Sequence, residues 1–274
     1  MTRQLIVTAD DFGLHESINR GVMQAHEEGI VTSASIVACG AAFDDAARLV
    51  MRRRKLDIGI HLCLVEEEPV LRSGRLQTLA PDGRFPKTYR DLLFALIKGK
   101  IRHREIELEL DAQIQRVLEA GLTVSHLDSH QHTHFFPQIR PIVMSLAEKY
   151  GIRGVRSARN VVPRRTKFSV FVGPLAMRAS REARGYGFTT PDALWLASPS
   201  GNLTGLQIVK GIPRLLPGVT ELVVHPGADQ KALDSVYPHW KFKWRQELAA
   251  VTASDVRDVL TRNQVTLTRY SELE

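Results

Sequence analysis

The sequence predicts an α/β fold, a (β/α) barrel of the TIM type that is distorted or incomplete, and three observations lead there. Apolar runs of strand length alternate with segments of helical period along the 274 residues. About seven such strands are recognisable, a number that favours a barrel over an open doubly wound sheet, the runner-up. Polar residues suited to chemistry stand just past the ends of several of these strands, where the carboxyl ends of barrel strands converge on one face. Strand–helix alternation of this kind implies parallel strands joined by right-handed crossovers. The length suits one barrel as well as two small domains. The expected organisation is one domain over residues 1–274, with a variable basic insertion at about 157–215.

The elements follow in order. Leu5-Ile6-Val7-Thr8-Ala9 reads as a strand, and a helix from about Ser17 to Glu28 is stopped by Gly29. Ser33–Ala38 is a second strand, Phe43–Arg54 a second helix and Leu56–Ile60 a third strand. Residues 66–87 hold Pro69, Gly74, Pro81, Gly83 and Pro86 and read as an irregular loop. A helix from about Arg104 to Ala120 ends at Gly121, Thr123–Leu127 is a strand, and Pro137 and Pro141 help to start a helix reaching Tyr150. Gly154–Arg156 and Glu221–Val224 are short strands, and a helix from Ser254 to Arg262 precedes a strand at Gln264–Thr268.

Composition narrows the class. With 43% hydrophobic and 24% charged residues, the chain has the balance of a soluble globular protein. No apolar run approaches the ~18 residues of a membrane span. The opening residues read as a strand running into Asp10 and Asp11 and not as a secretory signal. Two cysteines, Cys39 and Cys63, give no disulfide framework, so a cytoplasmic protein is expected. No glycine-rich phosphate loop follows a strand, and nucleotide binding has no support. The net charge of +7 is compatible with an anionic partner or simply with a basic enzyme.

Asp10 and Asp11 follow the first strand, His61 the third, and His225 the strand at 221–224. The run Ser125–His134 carries four of the ten histidines, His126, His130, His132 and His134, within nine residues. Asp10-Asp11 before Gly13 is also compatible with a polar turn and helix cap, and His61 alone with a hydrogen-bonded structural histidine. The histidine density is harder to explain without a metal, since imidazole is the commonest neutral metal ligand. A catalytic site takes three protein ligands and keeps a position for water and substrate. One carboxylate with two imidazoles suits Zn²⁺, Mn²⁺, Co²⁺ or Fe²⁺. As neighbours on a strand, Asp10 and Asp11 should point in different directions, so that one binds the metal while the other acts as base to water. His225 is a candidate general acid.

These residues resemble the signatures of the YdjC-like carbohydrate deacetylases. The resemblance runs through Leu5–Gly13, Gly29-Ile30-Val31-Thr32-Ser33, Gly59-Ile60-His61-Leu62, Ser125–His132 and His225-Pro226-Gly227, and is loose over 66–104 and 157–215. Within the family, the chain is most similar to a branch associated with hopanoid lipid biosynthesis. The resemblance implies a distorted barrel related to the polysaccharide deacetylases, and removal of the acetyl group from an N-acetylated amino sugar. It implies one divalent ion (Zn²⁺, Mg²⁺, Mn²⁺ or Co²⁺) at Asp11, His61 and His130, with Asp10 as base and His225 as acid. His126, Asp128 and His132 are left to support the ligands or touch substrate, Asp128 as the carboxylate that holds a ligand imidazole.

Between Arg156 and Arg184 stand eight Lys or Arg residues and one acid, Glu182, interleaved with Phe168, Val170, Phe171, Val172, Leu175 and Met177. That composition suits an interfacial segment on anionic lipid, and also a buried helix with solvated ends or a lid. The expected partners are an acetylated amino sugar, lipid-linked in one reading, and an anionic membrane surface; a homodimer is compatible, and no nucleic acid is expected. Trp195, Trp240 and Trp244 are read as core, with sugar stacking as the alternative. Competing functions are another barrel metallohydrolase (an amidohydrolase or phosphoesterase), suggested by the alternating histidines, and a non-enzymatic basic protein binding lipid or nucleic acid.

Overall fold

The computed structural model describes residues 2–52, 55–71, 74–162, 167–196 and 201–273. In chain order the elements are β1 (Arg3–Phe12), α1 (Glu16–Glu27), β2 (Ser33–Ile36), α2 (Phe43–Arg52), β3 (Asp57–Leu62), α3 (Tyr89–Ile97), α4 (His103–Glu119), β4 (His126–Ser129), α5 (Arg140–Lys149) and β5 (Gly154–Val155). They continue with β6 (Asn160–Val162), α6 (Lys167–Gly185), β7 (Ala193–Leu196), α7 (Gly205–Gly211), β8 (Gly218–Val224), α8 (Gln230–Val236), α9 (Trp244–Thr252), α10 (Ser254–Arg262) and β9 (Val265–Leu267).

The strands form one sheet in the order β5-β4-β3-β2-β1-β8-β7-β6, with β9 added beside β1. The paired strands run parallel throughout. The sheet curls towards closure. Its seam is bridged by one pair, Gly154 to Thr189 just ahead of β7, where Val155 N–H donates to the Thr189 carbonyl at 3.0 Å. A single bridge in place of a ladder makes this an incomplete barrel, as expected.

Burial explains the strands. β1 is buried from Leu5 to Phe12, as a parallel strand covered on both faces must be. Ile106, Leu110, Ile114 and Val117 form the buried stripe of α4. Beside it, Glu105, Glu109 and Gln113 are buried as well, and they hold the irregular stretch after β3. Glu109 accepts the Val70 and Leu71 N–H groups, Glu105 those of Thr78 and Leu79, and Gln113 that of Cys63. Backbone donors without strand or helix partners are thereby satisfied.

The sequence reading missed α3, β6, α6, β7, α7, α8 and α9. The α6 stretch is rich in β-branched and aromatic residues and contains Gly173 and Pro174, which argue against a helix. Tertiary packing overrides that preference. Val172, Ala176 and Ala179 of α6 pack with Phe135, Leu194, Leu196 and Val223 in a second apolar cluster. Residues 157–215, expected as an insertion, thus supply β6, α6, β7 and α7 of the barrel wall. The Thr123–Leu127 strand is displaced to His126–Ser129, and β1 extends past Ala9 to carry Asp10 and Asp11 within it.

The barrel interior is ionic. Arg156, counted above in the basic segment, is fully buried and pairs with three carboxylates. Its Nη atoms donate to both Asp10 oxygens at 2.7 Å and to Glu221 Oε1 at 2.9 Å, and Nη1 forms an ion pair with Asp128 Oδ2 at 2.7 Å. Thr8 and Tyr270 hydroxyls donate to the Glu221 oxygens, each at 2.7 Å. Burial disfavours the guanidinium charge, but Asp10, Asp128 and Glu221 more than offset it and hold its pKa well above the ordinary value. An Arg156→Met variant strands three buried carboxylates and is expected to lose about 3–5 kcal/mol of unfolding free energy at neutral pH. Urea denaturation should show the deficit narrowing in acid, where the advantage of holding Asp128 charged beside Arg156, well below its ordinary pKa range, is lost.

Candidate metal centre and active site

At the end of β1 the backbone departs from strand geometry. The register against β2 shifts between Ala9 and Phe12, and Asp11 takes a left-handed φ of 66°. The bulge is what allows two adjacent carboxylates to reach one cleft. Asp10 and Asp11 still address different partners, as expected of neighbours: Asp10 turns to Arg156, Asp11 to two imidazoles.

His61 projects from β3 and is 2% exposed. Its Nδ1 lies 2.8 Å from Asp128 Oδ1, and the carboxylate fixes this nitrogen as the N–H. Burial opposes the Asp128 charge, but Arg156 and His61 hold its carboxyl well below the usual range. The Nε2 lone pair of His61 is left facing Asp11 Oδ1 at 3.5 Å. His130 follows β4 and presents Nδ1 to the same oxygen at 3.0 Å, while its Nε2 donates to Glu66 at 2.9 Å.

Asp11 Oδ1 is buried and has no hydrogen-bond partner among the described residues, despite two ring nitrogens within 3.5 Å. Close approach without hydrogen-bond alignment is the arrangement of atoms that share a cation. The three ligand atoms lie within 4.8 Å of one another, and one carboxylate with two imidazoles fits a divalent transition ion. Asp10, His61 and Asp128 also cluster, as do His126, Asp128 and Glu221, but Arg156 already neutralises the carboxylates of both groups. Burial raises the Asp11 pKa, and His130, His61 and His225 reverse that, holding the carboxyl well below its ordinary range.

His225 stands at the end of β8 on the same cleft. Its backbone N–H donates to the buried Glu247 carboxylate at 2.6 Å, and its Nδ1 lies 3.6 Å from the same group. The turn after it is held by α1. A Cβ on Gly21 would meet the Gly227 Cα at 2.5 Å, so only glycine permits this approach. Burial disfavours the His225 imidazolium, but Glu247, with Asp11 and Asp10, raises its pKa above the ordinary value.

The cleft, of about 380 Å³, thus gathers Asp10, Asp11, His61, His130 and His225 from four strand ends. His132 lies at its edge in a left-handed conformation (φ 55°), its ring stacked on Phe135 at 5.7 Å. Asp128 touches His61 as expected. His126 does not reach the cleft: its ring is buried below it, bonded to Ser35 and Ser125 and stacked on Tyr270 at 3.8 Å. Ser35 also donates to Asp128, so His126 is linked to His61 through two intermediaries. His134 is bonded by Ser129 and the Arg156 carbonyl, and burial lowers its pKa to about 3.

Sequence reasoning missed Arg156, Glu247, Glu66 and, as a cleft residue, Trp240. Arg156 gave a signal, because it follows the end of β5 just as His225 follows β8. Glu66 and Glu247 gave none. Trp195 and Trp244 are buried as expected, whereas Trp240 is half-buried and lines the cleft.

Comparison with known proteins bears on this geometry. Residues 4–262 match the family model described as YdjC-like protein. A carbohydrate deacetylase of Geobacillus stearothermophilus is 40% identical over 161 residues, 58% of this chain and 62% of that protein. The chain therefore spans about three fifths of that relative's length. A carbohydrate deacetylase of Listeria welshimeri is 30% identical over 271 residues, covering 98% of this chain and 100% of that protein. A solved structure from Enterococcus faecalis, whose name refers to cellobiose-phosphate cleavage, superposes with a TM-score of 0.81 over 98% of both chains at 22% identity, a likeness of fold. The chain belongs to the YdjC-like protein family.

Proposed function

We propose that the protein is a metal-dependent hydrolase that removes the acetyl group from an N-acetylated amino sugar. The observation that carries this is the buried, unpartnered Asp11 Oδ1 between His61 Nε2 and His130 Nδ1, with a second carboxylate, Asp10, beside it. The names of the family relatives support the substrate class. A divalent ion held by Asp11, His61 and His130 supplies the acidification of water and the polarisation of the acetamide carbonyl.

The chain's own residues supply the proton transfers. Asp10 accepts a proton from the attacking water as the new C–O bond forms. Its bidentate bond to Arg156 fixes its orientation for that task. His225 delivers a proton to the sugar nitrogen as the C–N bond breaks, so that acetate and a free amine leave. Asp128 orients His61 through Nδ1, and Glu247 favours the protonated form of His225.

The finer reading is a lipid-linked acetylated sugar, presented at an anionic membrane surface. Val170 and Met177 are exposed on α6 near Arg178 and Arg181, which supports it. Exposed Phe94 and Ile97 on α3, whose first residues Tyr89 and Arg90 line the cleft, support it further. No helix among the described residues is long and apolar enough to cross a membrane.

Acetate release from soluble chito-oligosaccharides and from vesicle-borne N-acetylglucosamine lipid tests both readings. Release is expected to vanish with chelator and return with Zn²⁺, Mn²⁺ or Co²⁺. No release from any acetylated sugar would reject the activity, and faster turnover of the soluble series would reject the lipid-linked refinement. Asp10→Asn should bind Zn²⁺ as the wild type does while kcat falls about 10²–10⁴-fold, the usual worth of a general base. In Glu247→Gln, His225 loses the charge that raises its pKa, so its acid form is lost at lower pH. The alkaline limb of kcat/KM should move towards neutrality, and an unmoved limb would remove His225 as the acid.

A further inference from the structure

We infer that Glu66 is a positioning residue that joins the ion ligand His130 to the aromatic wall of the cleft, so that one carboxylate governs ion binding and sugar binding together. The inference rests on the proposed reading of His130 as a ligand and goes beyond it in tying that ligand to the sugar.

Three N–H donors converge on Glu66. His130 Nε2 lies 2.9 Å from Oε2, Trp240 Nε1 lies 3.1 Å from Oε2 and 3.2 Å from Oε1, and His239 Nε2 lies 3.1 Å from Oε1. A carboxylate only accepts, so it can receive all three, whereas an amide would turn its own N–H towards one of them. Accepting from His130 Nε2 fixes that tautomer and leaves the Nδ1 lone pair directed at Asp11 Oδ1. Accepting from Trp240 holds the indole against the same site: its ring lies 5.3 Å from that of His130 and stacks on Tyr237 at 4.7 Å. An apolar, rigid ring edging the cleft is a surface suited to the face of a sugar.

The backbone is committed to this placement. Glu66 adopts a left-handed φ of 69°, unfavourable for a residue with a Cβ, and its N–H is tied to the Pro86 carbonyl at 2.9 Å. The side chain is 13% exposed, too enclosed for a solvated surface pair.

The test measures Zn²⁺ affinity of the full chain by competition with a chromophoric chelator, and kcat and KM on a soluble N-acetylated chito-oligosaccharide. Glu66→Gln is expected to weaken Zn²⁺ binding by about 10–100-fold and to raise KM, and Glu66→Ala to do at least as much. Trp240→Phe should raise KM while leaving kcat and Zn²⁺ affinity within about twofold of the wild type. Glutamate variants that melt like the wild type and keep its Zn²⁺ affinity within about twofold would overturn the inference. So would a Trp240→Phe variant that loses kcat at unchanged KM. If the alanine variant does not fold, the glutamine variant, equal in size, decides. The Zn²⁺ measurement needs no turnover. A wild type whose Zn²⁺ affinity is weakened by Glu66→Gln but which releases no acetate removes the deacetylase reading alone. Acetate release with a Glu66-independent Zn²⁺ affinity removes this inference alone.

Discussion

The structure depends on one buried cation. Arg156 sits inside the barrel where apolar layers would ordinarily fill the space, and it holds Asp10, Asp128 and Glu221 at once. Each of those carboxylates leads elsewhere: Asp10 to the cleft, Asp128 to His61, and Glu221 to Thr8 and Tyr270 at the far end of the chain. A guanidinium can satisfy several acceptors because its five donors lie in a fixed plane, which an ammonium could not reproduce. Such a network contributes less to stability than its contacts suggest, since three anions and a cation must give up water. What it contributes is placement. The catalytic end of β1 and the support of His61 are set by the same group.

The cleft is also where the backbone departs from its preferred regions. Six non-glycine residues among those described have left-handed φ, and Asp11, Glu66, Gln131 and His132 line the cleft, with Lys241 between its aromatic residues. Such conformations persist only where surrounding contacts over-determine them. Those contacts are present: the β1 bulge at Asp11, the Pro86 carbonyl at Glu66, and the Gln131 side chain accepting the Tyr89 N–H at 2.9 Å. The last of these ties the long excursion after β3 to the histidine segment after β4. The loop is therefore part of the site and is anchored from behind by the buried carboxylates of α4.

The charges around the cleft divide into two groups. Arg156 neutralises the inner carboxylates, leaving Asp10 an oriented acceptor. Asp11 and Glu66 face imidazoles in its place, one on each side of His130. An imidazole between two carboxylates is directed at both nitrogens, which is how a ligand is held ready before its ion arrives.

By itself the sequence determined the strand–helix alternation, the strand ends bearing Asp10, Asp11, His61, His130 and His225, and the pairing of Asp128 with an imidazole. The alternation and the strand ends are local signals, carried by periodicity and by residues a few positions apart, whereas the role of Asp128 came from the family resemblance, its imidazole being His61, 67 residues away. It left α6 and β7 unread, because their conformation comes from packing Val172, Ala176 and Ala179 against distant partners and not from local preference. It grouped Arg156 with a basic segment, because a charge count along the chain cannot distinguish a solvated arginine from one surrounded by carboxylates 28, 65 and 146 residues away. Glu66, Glu247 and Trp240 were equally hidden. Each acts on a histidine far from it in sequence, at 64, 22 and 110 residues, and only the closing of the barrel brings those pairs together.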